Sequence, residues 1–180
     1  MSLSLWVCRF ILIAGILISV AYIEWSKKQR IVIEESSSWY DPYLFNLEYV
    51  QISEGIRSRD NMTMVAGTIL VATSTLILGA CIQLVSETEI DIRMKILMIS
   101  ASLAIYTIWL IPFYATSSKL NNLAYWRLQR MEEFNQFKLH RFFNEQLERK
   151  ENVNWINIRR LGWLIFYWLL IFISIFILLF

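Results

Sequence analysis

Four stretches of about 20 apolar residues dominate this chain, and nearly all of its charge lies between them. They run over 3–23, 62–85, 96–115 and 161–180. At about 1.5 Å rise per residue, each makes a helix of roughly 30 Å, the thickness of a hydrocarbon layer. In lipid a backbone amide finds its partner only within its own segment, so such runs fold as helices. Barrel strands would alternate polar and apolar residues, and these runs do not. The expected fold is all-α: one membrane domain over 1–180, a four-helix transmembrane bundle with cytoplasmic helical segments over 24–61 and 116–160.

Composition narrows the function classes. Of the 180 residues 57% are hydrophobic and only 18% are charged, against about a quarter charged in a soluble domain. The net charge of +2 is too balanced to point to nucleic acid. Two cysteines and one histidine exclude a disulfide framework and make a Cys/His metal cluster implausible.

Lys and Arg orient the spans. Fourteen of the seventeen lie between spans one and two or between spans three and four, whereas Arg9, Arg93 and Lys95 fall on the other side, beside Glu87, Glu89 and Asp91. Basic residues near span ends stay in the cytoplasm, which predicts a multi-pass cell-membrane protein with both termini outside. A cleaved signal peptide ending at "SVA" (19–21) would put the basic segments outside, against that rule. The expected membrane-interface anchors are Arg9, Trp25, Lys27, Lys28, Arg57, Arg59, Arg159, Arg160 and Trp163. Asp60 is placed to cap the helix entering the membrane beside Arg57 and Arg59. The sequon at Asn61 then faces the cytoplasm and is discounted.

Small residues suggest how the helices meet. Thr68, Ala72, Thr75 and Gly79 fall on one stripe of span two, and Ser100, Ala104 and Thr107 make a matching stripe on span three. Lipid gives helices no hydrophobic reason to associate, so close backbone approach must supply the attraction. Gly15 and Ser19 form a shorter stripe on span one, while span four holds only Gly162 and Ser174 among bulky residues. This pattern predicts a central span two and a peripheral span four. Pro112 lacks an amide donor and predicts a bend near Ile108 to Pro112.

Outside the spans, Asp41 and Pro42 read as the cap and first turn of a helix reaching about Ser58, before the chain turns into the membrane. The stretch 117–160 has neither Pro nor Gly and reads as largely helical. Leu120, Ala124, Leu128, Met131 and Phe142 lie on one side, broadened by Phe134, Phe137, Leu139 and Phe143. Glu132, Glu133, Glu145, Glu148 and Glu151 dilute its basic character, which favours an interfacial helix over a nucleic-acid reader.

Catalytic chemistry has no footing. No carboxylate falls at mid-span, although buried ionisable groups are what membrane catalysis and proton relays require. His140 lies among Lys138, Arg141 and Glu145, as a solvated histidine would. There is no glycine-rich phosphate loop, nucleophile elbow or metal-ligand spacing. Cys8 and Cys81 fall at similar depth; two unpaired apolar thiols are expected, with a disulfide as the alternative.

Over residues 54–125 the order of features resembles an uncharacterised family of small four-helix integral membrane proteins of bacteria and plants. The likeness is carried by arginine and asparagine before a small-residue span, "RSRDNMTMVAGTILVATSTLILGA". A Lys-led third span with an Asn-containing exit follows, "IRMKILMISASLAIYTIWLIPFYATSSKLNN". This chain has a shorter external loop and lacks the arginine before the exit asparagine. The resemblance implies a four-helix fold and no particular activity.

The functional expectation is a non-catalytic membrane protein that associates with membrane lipid and with other subunits or itself, without cofactor and without nucleic acid. A small homo-oligomeric channel or transporter, lined by Thr68, Thr75 and Thr107, is the alternative.

Overall fold

The computed structural model describes residues 3–26, 37–87, 91–136 and 155–179, and among these there is no strand. The helices are α1 (Leu3–Ser26), α2 (Pro42–Glu87), α3 (Ile92–Ile108), α4 (Thr116–Phe134) and α5 (Trp155–Leu179). A 3-10 turn, Ser37–Tyr40, precedes α2, and a π-helical segment, Trp109–Ala115, joins α3 to α4 without interruption. Four helical stretches are long and apolar enough to cross a membrane: Leu3–Trp25, Pro42–Ser86, Ile92–Phe134 and Leu161–Leu179.

Helix α2 starts where its residues predict. The Asp41 carboxylate accepts from the amides of Tyr43 (2.9 Å) and Leu44 (3.4 Å), and its carbonyl accepts from Phe45 N–H at 2.9 Å. Two of the free donors at the helix start are thereby satisfied, and Pro42 has none to lose.

The helix does not stop near Ser58. It runs unbroken for 46 residues, about 70 Å at its ordinary rise, more than twice a hydrocarbon layer. Asp60 therefore caps nothing; it lies in mid-helix, and Asn121 Nδ2 donates to its carboxylate at 2.6 Å. The expected turn is missing because 55–63 contains no helix breaker except Gly55, and a glycine costs only about 1 kcal/mol inside a helix.

Asp91 caps α3, accepting from Arg93 N–H at 3.3 Å. The chain then returns antiparallel to α2 through α3, the π turn and α4. Register along the whole pair is marked by Ser74 opposite Ser102, Arg59 opposite Asn121 and Glu48 opposite Arg127. The irregularity due to Pro112 falls where expected, as a widened turn. Thr116 N–H reaches back five residues to Ile111 O, and its hydroxyl donates to the same oxygen at 3.2 Å. A wider ring accommodates the residue that cannot donate, and the helix continues beyond it.

Helix α4 ends at Phe134, where Gln136 takes a left-handed backbone (φ 60°) and Asn135 N–H bonds to Met131 O. The expected continuation past this point, with Phe137, Phe142, Phe143 and His140, lies outside the described residues.

Packing corrects the assignment of the central helix. Helix α3 and the π turn touch α1, α2 and α5, whereas α2 packs mainly on α3, the π turn and α4. Span four is not peripheral: Tyr167, Leu170, Ile171, Ser174, Ile177 and Leu178 of α5 are all buried. Its bulky side chains fill the space between α1 and α3. On α1 the expected Gly15–Ser19 stripe does face α5, for Trp168 Nε1 donates to Ser19 Oγ at 3.1 Å and Gly15 lies under Ile171.

Candidate functional site

The seam between α2 and α3 lies on a different face from the predicted stripe. Thr68, Ala72 and Gly79 are exposed and Thr75 is half-buried, as are Ser100 and Ala104 (exposed) and Thr107 (half-buried) on the partner. A Cβ built on Gly79 meets nothing within 4 Å. Within the chain, the seam is instead Gly67, Ser74, Leu78 and Cys81 against Ile99, Ser102, Tyr106 and Trp109. On a helix the two faces stand about a third of a turn apart. Both carry small residues seven apart, 67/74/81 and 68/75 or 72/79, so spacing alone does not choose between them.

At the centre of the seam two serines clasp. Ser74 Oγ lies 3.0 Å from both Ser102 O and Ser102 Oγ, while Ser102 Oγ donates to Ser74 O at 2.8 Å. Every hydroxyl there is satisfied, which apolar surroundings demand. About two turns along the pair, Trp109 is 2% exposed and presses its ring edge on Gly67. Its indole N–H has no hydrogen-bond partner among the described residues. Trp109 also sits 4.3 Å, centroid to centroid, from Trp163 in an edge-on pair. Tyr106 stacks on Tyr167 and donates its hydroxyl to Trp163 O at 2.9 Å. These aromatic contacts tie α5 to α3. Trp163, expected at the membrane interface, is half-buried and packs against the core.

Arg9, Trp25 and Arg57 are exposed, and Lys119 Nζ lies 4.7 Å above the Trp25 ring, a cation–π contact at the span end. Arg59 is half-buried and donates to Asn121 Oδ1 at 2.7 Å instead of pointing outward. Lys27 and Lys28 lie outside the described residues; Arg159 and Arg160 fall within α5, but their side chains lie outside the description.

Beyond the apolar segments, α2 and α4 are joined by a polar ladder absent from the sequence reading. Asn121 bridges Arg59 and Asp60. Arg127 Nε donates to Glu48 at 2.7 Å. Glu132, 1% exposed, accepts from the Tyr49 hydroxyl at 2.8 Å. Burial, and then the neighbouring Glu132 carboxylate, push the Tyr49 phenol above its ordinary value of 10; burial and Asp60 do the same to Tyr125. The far end is closed by an aromatic cap of Trp39, Phe45 and Met131, with Phe134 against Trp39 at 5.8 Å. The ladder joins the two helices through polar side chains. A hint of it was legible in the alternation of Glu48, Arg59 and Asp60 along one element and Asn121, Arg127 and Glu132 along the other.

On the outer side of α2, where polar and apolar residues meet, lies an open groove of about 790 Å³. Glu54, Arg57, Ser58 and Asn61 line one end; Met62, Val65, Ile69 and Phe113 line the other. No group of three or more His, Cys, Asp or Glu fit to hold a metal occurs among the described residues. Cys8 and Cys81 are both buried and unpaired. Comparison with protein-family models, with curated proteins and with solved structures finds no match to this chain. What the chain shows is an all-helical fold with four helices long and apolar enough to cross a membrane, the make-up of a multi-pass membrane protein.

Proposed function

We propose that this is a non-catalytic membrane protein whose work is association with other membrane helices, as an accessory subunit or a self-assembling component. Four spans cross the bilayer in this reading, with both termini outside and the α2–α4 ladder projecting into the cytoplasm. The observation that carries it is the outward face of α2. Thr68, Ala72 and Gly79 are left uncovered although the bundle is already closed by Gly67, Ser74 and Cys81. A small-residue face lets a second backbone approach closely, which is how helices gain attraction in lipid. The Thr68, Thr75 and Thr107 hydroxyls donate to Met64 O, Val71 O and Leu103 O of their own helices. They need no external partner, which supports a packing face over a pore lining.

Purification in mild detergent tests this, with mass measured by light scattering. A stoichiometric partner or a homo-oligomer is expected, and G79L combined with A72L is expected to weaken that complex about tenfold or more. Helix content should stay unchanged, since neither position packs inside the chain. A strictly monomeric species, or a complex indifferent to both changes, sinks the reading. Topology has its own test: R130C in the intact cell should react with an impermeant thiol reagent only after permeabilisation. Labelling from outside would invert the proposed orientation.

A further inference from the structure

The groove on α2 has an order of chemistry that one class of molecule matches. From the hydrocarbon outward, Ile69, Val65 and Met62 come first, with Phe113 as the facing wall; Asn61 and Ser58 follow, then Arg57, then Glu54. All four polar side chains are exposed, and none makes a hydrogen bond or ion pair with a described residue. Arg57 and Glu54 stand about 4.5 Å apart along the helix, one turn having 5.4 Å pitch. Between Arg57 and Ile69 lie about 18 Å of axis, against roughly 15 Å for one leaflet of hydrocarbon.

We infer that this groove binds one phospholipid with a primary ammonium headgroup, of the phosphatidylethanolamine class. The inference rests on the membrane placement proposed above. An acyl chain lies along Met62, Val65 and Ile69 beneath Phe113. Asn61 and Ser58 supply donors at the level of the ester carbonyls. Arg57 pairs with the phosphate, for which a guanidinium fork is the best-shaped side chain. Glu54, one turn farther from the hydrocarbon, accepts from the ammonium. A glycerol headgroup can donate a neutral hydroxyl to Glu54 but brings no positive charge to pair with it. A choline headgroup satisfies the charge but has no N–H to donate. The carboxylate therefore selects, and the arginine holds.

Native mass spectrometry of the full chain, released from detergent supplemented with one defined phospholipid at a time, reads this directly. Phosphatidylethanolamine is expected to bind at one site about tenfold tighter than phosphatidylcholine or phosphatidylglycerol of the same chains. R57Q should weaken all three lipids. E54Q should remove only the preference, bringing phosphatidylethanolamine to the level of phosphatidylcholine. Both positions are exposed, so both variants keep the fold, which circular dichroism on the same samples verifies. Free phosphoethanolamine should not compete, since it lacks the chain that Met62, Val65 and Ile69 contact; competition by it would make this a headgroup site and overturn the lipid assignment. Equal binding of the three lipids, or variants that behave as the parent, would reduce the groove to unselective lipid contact and overturn the inference. The membrane reading fails separately, by the chain proving soluble once detergent is withdrawn.

Discussion

G67A is expected to destabilise the bundle by about 1–3 kcal/mol, the range for forcing an extra methyl into a packed interior. The added Cβ would stand 2.7 Å from Trp109 Nε1 and 3.1 Å from its Cε2. Those atoms belong to a rigid ring already fixed by Trp163 and Tyr106, so the helices must separate instead. W109A should cost more, about 3–5 kcal/mol, through the cavity it leaves. The two losses should not add. With the ring gone the new methyl has room, and the double variant is expected to be about 1–2 kcal/mol more stable than the sum predicts. Unfolding in a graded detergent mixture, followed by circular dichroism, measures all three. Two other glycines serve as controls. At Gly15 the added Cβ meets the terminal Ile171 Cδ1 at 2.5 Å, an atom that can rotate away, and at Gly79 it meets nothing. G15A should therefore cost less than G67A, and G79A should be neutral or slightly stabilising through helix propensity. A neutral G67A would show that Trp109 does not hold α2.

Removing the Tyr49 hydroxyl is expected to be the most damaging conservative change in the polar ladder. Y49F removes the hydroxyl that donates to the buried Glu132 carboxylate at 2.8 Å, at a cost of about 1–3 kcal/mol. The loss should appear in local protection and not in the buried α2–α3 seam. Hydrogen exchange should quicken over 42–52 and 125–134 while the amides around Ser74 and Ser102 keep their rates. The same contact sets a pH dependence. Tyr49 has a raised pKa in the folded chain, first from burial and then from Glu132, so the protonated phenol is the form the fold favours. Its stabilising share is complete below the ordinary value of 10 and declines as pH rises beyond it. The ladder should therefore loosen in alkaline solution, and Y49F should remove Tyr49's part of that alkaline loss. An unchanged exchange pattern in Y49F would mean that the Trp39–Phe45–Met131 cap alone carries this end.

Much of the fold was legible because length and hydropathy speak to one question only, whether a segment tolerates water. The four apolar runs, the Asp41 cap and the disturbance at Pro112 all follow from local chemistry. Helix α2 escaped because its change from polar to apolar at Asn61 and Met62 reads as a boundary, whereas the backbone needs no boundary to change solvent. The ladder escaped for a related reason. Glu48, Tyr49 and Arg59 are distant in sequence from Arg127, Glu132 and Asn121, and only the register of two long helices brings them together. Trp163 looked like an interfacial aromatic since its composition and position fit one; its partner Trp109 lies more than fifty residues away.

The stripe on α2 is the sharpest case. Within a soluble protein the apolar face of a helix is the buried face, and hydropathy finds it. Where lipid replaces water, both faces are apolar and the criterion has no power. Small residues at 67, 74 and 81 and at 68, 72, 75 and 79 then offer two equally good seams. The sequence by itself determined where the apolar stretches lie and where charge gathers between them, because each depends on the solvent a residue prefers. Tertiary structure decided which face of α2 meets α3, which helix is central and which polar groups pair, because each depends on the shape of a neighbour, Trp109 above all.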